Sequence, residues 1–97
     1  MLDKVKLALR ISGTAFDEEV TDLINAAIAD LRLVGIVVTE EQEGGSPAEV
    51  SDPLLARAIV LYAKAEFGYS DNAERYRKAY DYLKCSLSLA GDYNAVE

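Results

Sequence analysis

Apolar residues recur at three- and four-residue steps in four stretches of the chain. The clearest run is Val20, Leu23, Ile24, Ala27, Ile28 and Leu31, with charged and other polar residues between them. Because an α-helix has 3.6 residues per turn, this spacing places the apolar side chains on one face. The four stretches predict helices at residues 3–10, 17–34, 53–68 and 72–90.

Residues that begin and end helices stand at the borders of these stretches. Gly13 is expected to close the first helix and Gly35 the second, since glycine adopts the left-handed conformation without strain. Ile36 is then placed to cover the last turn of the second helix. Asp52 followed by Pro53 predicts the start of the third helix, because Asp caps and Pro suits the first helical position.

Residues 40–51, with the sequence EEQEGGSPAEVS, combine two adjacent glycines and a proline with almost nothing to bury. This composition predicts a flexible acidic loop between the second and third helices. The preceding Ile36-Val37-Val38-Thr39 is β-branched, but it has no evident partner strand, and we interpret it as the entry to that loop. The expected fold is all-α, a small bundle of about four helices forming one domain over residues 1–97.

The third predicted helix is apolar nearly all round, since Arg57, Lys64 and Glu66 are its only charged residues. Such a helix must be covered on nearly all sides. It is therefore either the central helix of the domain, or its outer face meets another subunit, or both. The residues expected at a subunit or partner interface are Ala56, Val60 and Ala63, which we predict to face outward, with Tyr69, Asp92 and Tyr93. The tail from Asp92 is expected to be loose in the isolated chain and to order on docking.

The same periodicity predicts which other side chains are core. The expected core comprises Leu23, Ile24, Ile28, Leu55, Ile59, Tyr62, Tyr80 and Leu83. Cys85, with Tyr82 and Leu89 at helical spacing from it, is expected to be partly buried. Tyrosines on the apolar stripe are expected to line the core with their hydroxyls at its edge, and those off the stripe suit an interface.

Composition then narrows the function. The chain has no histidine and one cysteine, and it lacks a CxxC pair or a glycine-rich phosphate loop. We expect no catalytic residues, no metal site and no cofactor. The net charge of −7 opposes tight non-specific binding to nucleic acid. No stretch has the roughly 20 apolar residues of a membrane span, and the start does not read as a signal peptide, so a cytoplasmic origin is expected.

Several segments resemble the head-tail connector, or adaptor, proteins of tailed phages. The N-terminal LDKVKLALRI at 2–11, the acidic FDEEV at 16–20 and LINAA at 23–27 are similar to the opening of those proteins. The later DPLLARAIVL at 52–61 resembles the third helix of the family, which is entered through Asp-Pro. The resemblance covers most of the chain.

This resemblance implies a structural virion protein and no enzymatic activity. Connectors form a homo-oligomeric ring beneath the portal protein and extend the DNA channel to a tail-completion protein. Double-stranded DNA passes through without sequence-specific binding. The implied location is the virion, with the host cytoplasm during assembly. The alternative is a small non-enzymatic adaptor or regulator that binds a partner helix through an apolar groove on the third helix.

Overall fold

The computed structural model describes residues 1–39, 50, 52–67 and 72–93 of the 97-residue chain. It contains four α-helices, namely α1 (Leu2–Leu9), α2 (Asp17–Leu33), α3 (Pro53–Glu66) and α4 (Ala73–Leu89). A single 3-10 turn, Gly91–Tyr93, follows α4. The prediction of a small all-α bundle is confirmed, and each helix lies within two residues of its predicted bounds.

Helix α3 lies at the centre of the bundle and contacts α1, α2 and α4. The start of α2 meets the end of α3, where the rings of Phe16 and Phe67 pack edge to face with centroids 5.5 Å apart. The turn after α4 returns to the start of α3, where the Tyr93 hydroxyl donates to Asp52. Both α2 and α4 therefore run antiparallel to α3. Of the alternatives for the third helix, the structure shows the central position, and contact with another subunit stays a prediction.

The buried apolar side chains form one cluster around α3. Most of the predicted core belongs to it: Ile24, Ile28, Leu55, Ile59 and Tyr80 are buried, and Tyr62 and Leu83 are half-buried against them. Leu23 is only half-buried. The six buried residues of α3 are Leu55, Ala56, Ala58, Ile59, Leu61 and Ala63.

The segment after α2 contributes more to the core than its interpretation as a loop entry implied. Ile36 and Val38 are buried, whereas Val37 between them is exposed, an alternation typical of extended chain. The backbone N–H of Val37 donates to the carbonyl of Tyr93 at 2.7 Å, so the segment is fastened to the turn after α4. Val50 is also buried, although the predicted loop was expected to bury almost nothing. The rest of that loop, 40–49 and 51, lies outside the described residues.

The predicted start of α3 and the predicted end of α2 are confirmed in detail. Asp52 accepts hydrogen bonds from the backbone N–H groups of Leu54 and Leu55 at 2.9 and 3.1 Å, and Pro53 occupies the first helical position. Gly35 has φ 90°, and the N–H of Ile36 donates to the carbonyl of Leu31. This is a Schellman motif, in which the apolar residue after the glycine covers the last turn.

The end of α1 differs from its prediction. Arg10, not Gly13, takes the left-handed position that closes the helix, with φ 61°. The N–H groups of Arg10 and Ile11 donate to the carbonyls of Leu7 and Lys6, which completes the same Schellman pattern. Gly13 also has a positive φ of 80°, but it lies in the turn that follows. Lys6 donates to its carbonyl and pairs with Asp17, which joins α1 to the start of α2.

A polar cluster joins α2 to α4. The hydroxyl of the fully buried Tyr80 donates to Asp30 at 2.5 Å, and Lys84 donates to the same carboxylate at 3.1 Å. Partial burial raises the pKa of Asp30, but the hydrogen bonds from Tyr80 and Lys84 outweigh it, and the pKa lies below its ordinary value. Burial, then the bond to Asp30, raises the pKa of Tyr80 well above its ordinary value. The cluster therefore fixes a protonated hydroxyl against a charged carboxylate.

The left-handed arginine at the end of α1 gives a first prediction. Arg10→Gly should raise the free energy of unfolding by about 1 kcal/mol, because a residue with a Cβ is strained at this φ and glycine is not. Urea denaturation measures the change. Gly35→Ala is the matched opposite and should lower the free energy by a similar amount, since no atom lies within 4 Å of the added Cβ and only the backbone is strained. An unchanged midpoint in Arg10→Gly would contradict the assignment.

The cluster around Asp30 gives a second prediction. Tyr80→Phe should lower the free energy of unfolding by about 1 to 2 kcal/mol at neutral pH, because the charged carboxylate loses a donor.

The decrease in the free energy of unfolding caused by Tyr80→Phe should depend on pH. The pKa of Asp30 is lowered on folding, so its stabilisation is present above the ordinary value of 3.8 and is lost as the pH falls through the lower folded value. The difference between wild type and Tyr80→Phe should therefore be smaller at about pH 3 than at neutral pH. Tyr82→Phe, at a residue that is 72% exposed, is the control and should change little. A difference of equal size at both pH values would argue against the charged bond.

Candidate interaction surface

An open groove lies between α1 and the first half of α3. We call it the α1–α3 groove, and it is lined by Lys4, Pro53, Ala56, Arg57 and Val60. The four lining residues of α3 follow at the first, fourth, fifth and eighth positions, which places them on one helical face. Lys4 comes from α1, which packs beside α3. The volume of this open groove is about 240 Å³.

The groove combines an apolar lining with two exposed cations. Pro53, Ala56 and Val60 are apolar, and Val60 is half-buried. Lys4 and Arg57 are exposed, and neither forms an ion pair with a described residue. In this chain of net charge −7, four other cations pair with acids of the same molecule, namely Lys6, Arg77, Lys78 and Lys84, and Lys64 lies over the ring of Tyr76. Among the described residues, the groove therefore presents two cations that no acid of the same chain neutralises.

The sequence-predicted interface residues of α3 are only partly brought together. Ala56 and Val60 line the α1–α3 groove, but Ala63 does not. Ala56 is 3% exposed and Ala63 is 0% exposed, so the expectation that both face outward is wrong. The cause is the central position of α3, whose sides are covered by the chain's own helices. The role of these residues in an interface stays a prediction, as does that of Tyr69, which lies outside the described residues.

The start of the tail is more ordered than predicted. Asp92 belongs to the 3-10 turn, and Tyr93 is half-buried against the core. The Tyr93 hydroxyl donates to the Asp52 carboxylate, with distances of 3.1 and 3.3 Å to its two oxygens. The expectation of a loose tail is therefore wrong as far as Tyr93, because this side chain reaches the acid that caps α3. Residues 94–97 lie outside the described part.

A second surface was missed from the sequence. Five of the exposed large apolar side chains lie where α2 ends, α3 begins and α4 ends, and we call this the apolar end of the bundle. Its members are Leu33, Val34, Val37, Leu54 and Leu89, of which Leu33 is 83% and Leu89 79% exposed. Leu33 and Val34 lie off the buried stripe of α2. Two adjacent apolar residues outside that stripe, just before Gly35, are the sequence feature that could have predicted an exposed apolar surface. Such residues favour a protein contact when they gather at one place.

Cys85 is exposed, so its predicted partial burial is wrong. The prediction rested on Tyr82 and Leu89 as apolar neighbours, and both are themselves exposed, since that face of α4 points away from α3. Within the described residues, no group of three or more histidine, cysteine or carboxylate side chains is arranged to hold a metal. None of the described helices is both long and apolar enough to cross a bilayer.

Comparison with curated proteins and with solved structures found no match. The family model described as phage connector protein matches residues 1–94, which is nearly the whole chain. The match includes all four helices and the turn that carries Tyr93. It agrees with the resemblance seen in the segments at 2–11, 16–27 and 52–61. The chain belongs to the phage connector protein family, a group of virion components.

Proposed function

We propose that this protein is a head-tail connector that assembles into a homo-oligomeric ring beneath the portal. The ring extends the DNA channel toward a tail-completion protein. Its role is structural and not catalytic, and it acts in the virion after assembly in the host cytoplasm. The observation that carries the proposal is the family match over residues 1–94.

The surface of the chain is large enough for ring contacts. A specific contact of standard size buries about 800 Å² on each partner. Two of them would cover about 1,600 Å², about a quarter of the 6271 Å² surface of the chain. A contact between two different surfaces of the same chain closes into a ring when the rotation per subunit allows it. The α1–α3 groove and the apolar end are two such different surfaces.

The surfaces that support a ring are not the ones that the apolar composition of α3 indicated. The apolar character of α3 does not require a neighbouring subunit, because the chain itself buries six of the apolar residues of that helix. The surfaces that remain accessible for subunit contacts are the groove beside Val60 and the apolar end. We assign the groove to subunit contacts and the apolar end to the portal or the tail-completion protein.

The charge of the chain suits a channel through which DNA moves. Lysine and arginine contacts to phosphates release counterions and bind nucleic acid tightly, whereas a wall poor in such contacts lets it pass. With 17 acidic and 10 basic residues, this chain repels phosphates at long range. Double-stranded DNA would therefore pass without being held tightly through its phosphates.

The alternative, an adaptor that takes a partner helix in an apolar groove of α3, is less well supported. It needs a long apolar face on that helix, and six of the apolar residues of α3 are buried within the chain. The groove that remains is short, and two cations line it. No observation favours this second function.

The ring proposal gives a third prediction. Val60→Glu should prevent assembly and leave the monomer helical, because a carboxylate in the groove is costly to desolvate against a neighbour but stays in contact with water in the monomer. Sedimentation velocity measures assembly, and far-UV circular dichroism measures helicity.

Ala79→Glu, which adds the same carboxylate on the exposed face of α4, is the control and should assemble as the wild type does. Unfolding of the Val60→Glu monomer would place Val60 in the core and remove the groove from the proposal. A wild-type chain that stays monomeric at high concentration and binds no portal ring would overturn the connector function.

A further inference from the structure

We infer that the α1–α3 groove binds the acidic first half of α2 from a second copy of this chain. The inference rests on the proposed ring and names the two surfaces that meet in it. On one side are the cations Lys4 and Arg57 with the apolar lining between them. On the other are the carboxylates of Glu18, Glu19 and Asp22.

The acidic surface is exposed and available for a partner. Glu18, Glu19 and Asp22 lie on the solvent side of α2, and none of them forms an ion pair with a described residue. Their neighbour Asp17 differs, since Lys6 of α1 lies 2.6 Å from its carboxylate. Within the described residues, Asp17 therefore has a cationic partner in the same chain, whereas Glu18, Glu19 and Asp22 have none.

Each of the two surfaces presents at least two charges. Glu18 and Asp22 are four residues apart, so their side chains lie on one helical face about one turn, or ~5.4 Å, from each other. Arg57 and Lys4 stand on α3 and α1, so the groove presents its cations from two adjacent helices. Two carboxylates on one helical face can thus each approach a cation, while the aliphatic parts of the side chains cover Pro53 and Val60.

Charge complementarity favours a second copy as the occupant. The groove presents two cations that pair with no acid among the described residues, in a molecule of net charge −7, so it favours an acidic surface as its partner. This chain exposes such a surface on another element, since none of the residues lining the groove belongs to α2. A contact between groove and α2 is heterologous, which is the type that propagates from subunit to subunit and closes a ring.

Charge reversal of each surface tests the inference. One variant carries Lys4→Glu with Arg57→Glu, and the other carries Glu18→Lys with Asp22→Lys. Each alone places like charges in contact, and its self-association should weaken roughly tenfold or more. An equimolar mixture of the two should assemble again, since every groove then finds an α2 of opposite charge. Sedimentation velocity and mass photometry measure assembly, and circular dichroism confirms that each variant is folded.

A third variant, Glu74→Lys with Arg75→Glu on exposed α4, keeps the net charge and should assemble like the wild type. Added salt should weaken wild-type assembly, because these pairs lie near solvent. If the wild type assembles and either reversed variant assembles equally well, the groove is not the contact, and the ring stands without it. If both variants fail and the mixture also fails, the groove and α2 do not meet. A wild type that never assembles overturns the ring and this contact together.

Discussion

Coverage of α3 is the constraint on which the rest of the structure depends. This helix has 14 residues and three charges, and leaving its leucine and isoleucine side chains in water would forgo about 1.5 to 3 kcal/mol for each. The chain meets the demand with α1, α2 and α4, which all contact α3. Their own apolar stripes are turned inward as a result, and the surfaces that remain outside determine what the molecule can bind.

The polar contacts hold this arrangement in one register. Apolar packing alone allows neighbouring helices to slide, whereas a buried hydroxyl bound to a carboxylate fixes one position. Tyr80 and Asp30 do this between α2 and α4, and Tyr93 and Asp52 do it between the final turn and α3. Asp52 thus has two functions, since it also caps α3. The geometry of the groove beside Pro53 depends on that cap, because it sets where α3 begins.

The helices were predictable from sequence because their apolar spacing and end signals agree. The Asp52-Pro53 start and the Gly35 end are local chemistry, and both are found as expected. The sequence did not predict what covers each face of the largely apolar α3. Ala56 and Ala63 fit a contact with another helix of the same chain as well as a contact with another subunit. The same limit explains the exposed Cys85. The α1–α3 groove brings together Lys4 and Arg57, which are 53 positions apart in the sequence, and the spacing of apolar residues within one helix does not predict contacts between distant helices.

The segment between α2 and α3 is fastened at both ends, since Val38 and Val50 are buried in the same core. The entropy of closing a chain between two fixed points grows only with the logarithm of its length, so a doubling costs about 0.6 kcal/mol. The closure entropy therefore changes little with the number of residues between those two valines. Insertions or deletions between them cost little closure entropy, so evolution can change the length of this connection while the helical scaffold stays the same.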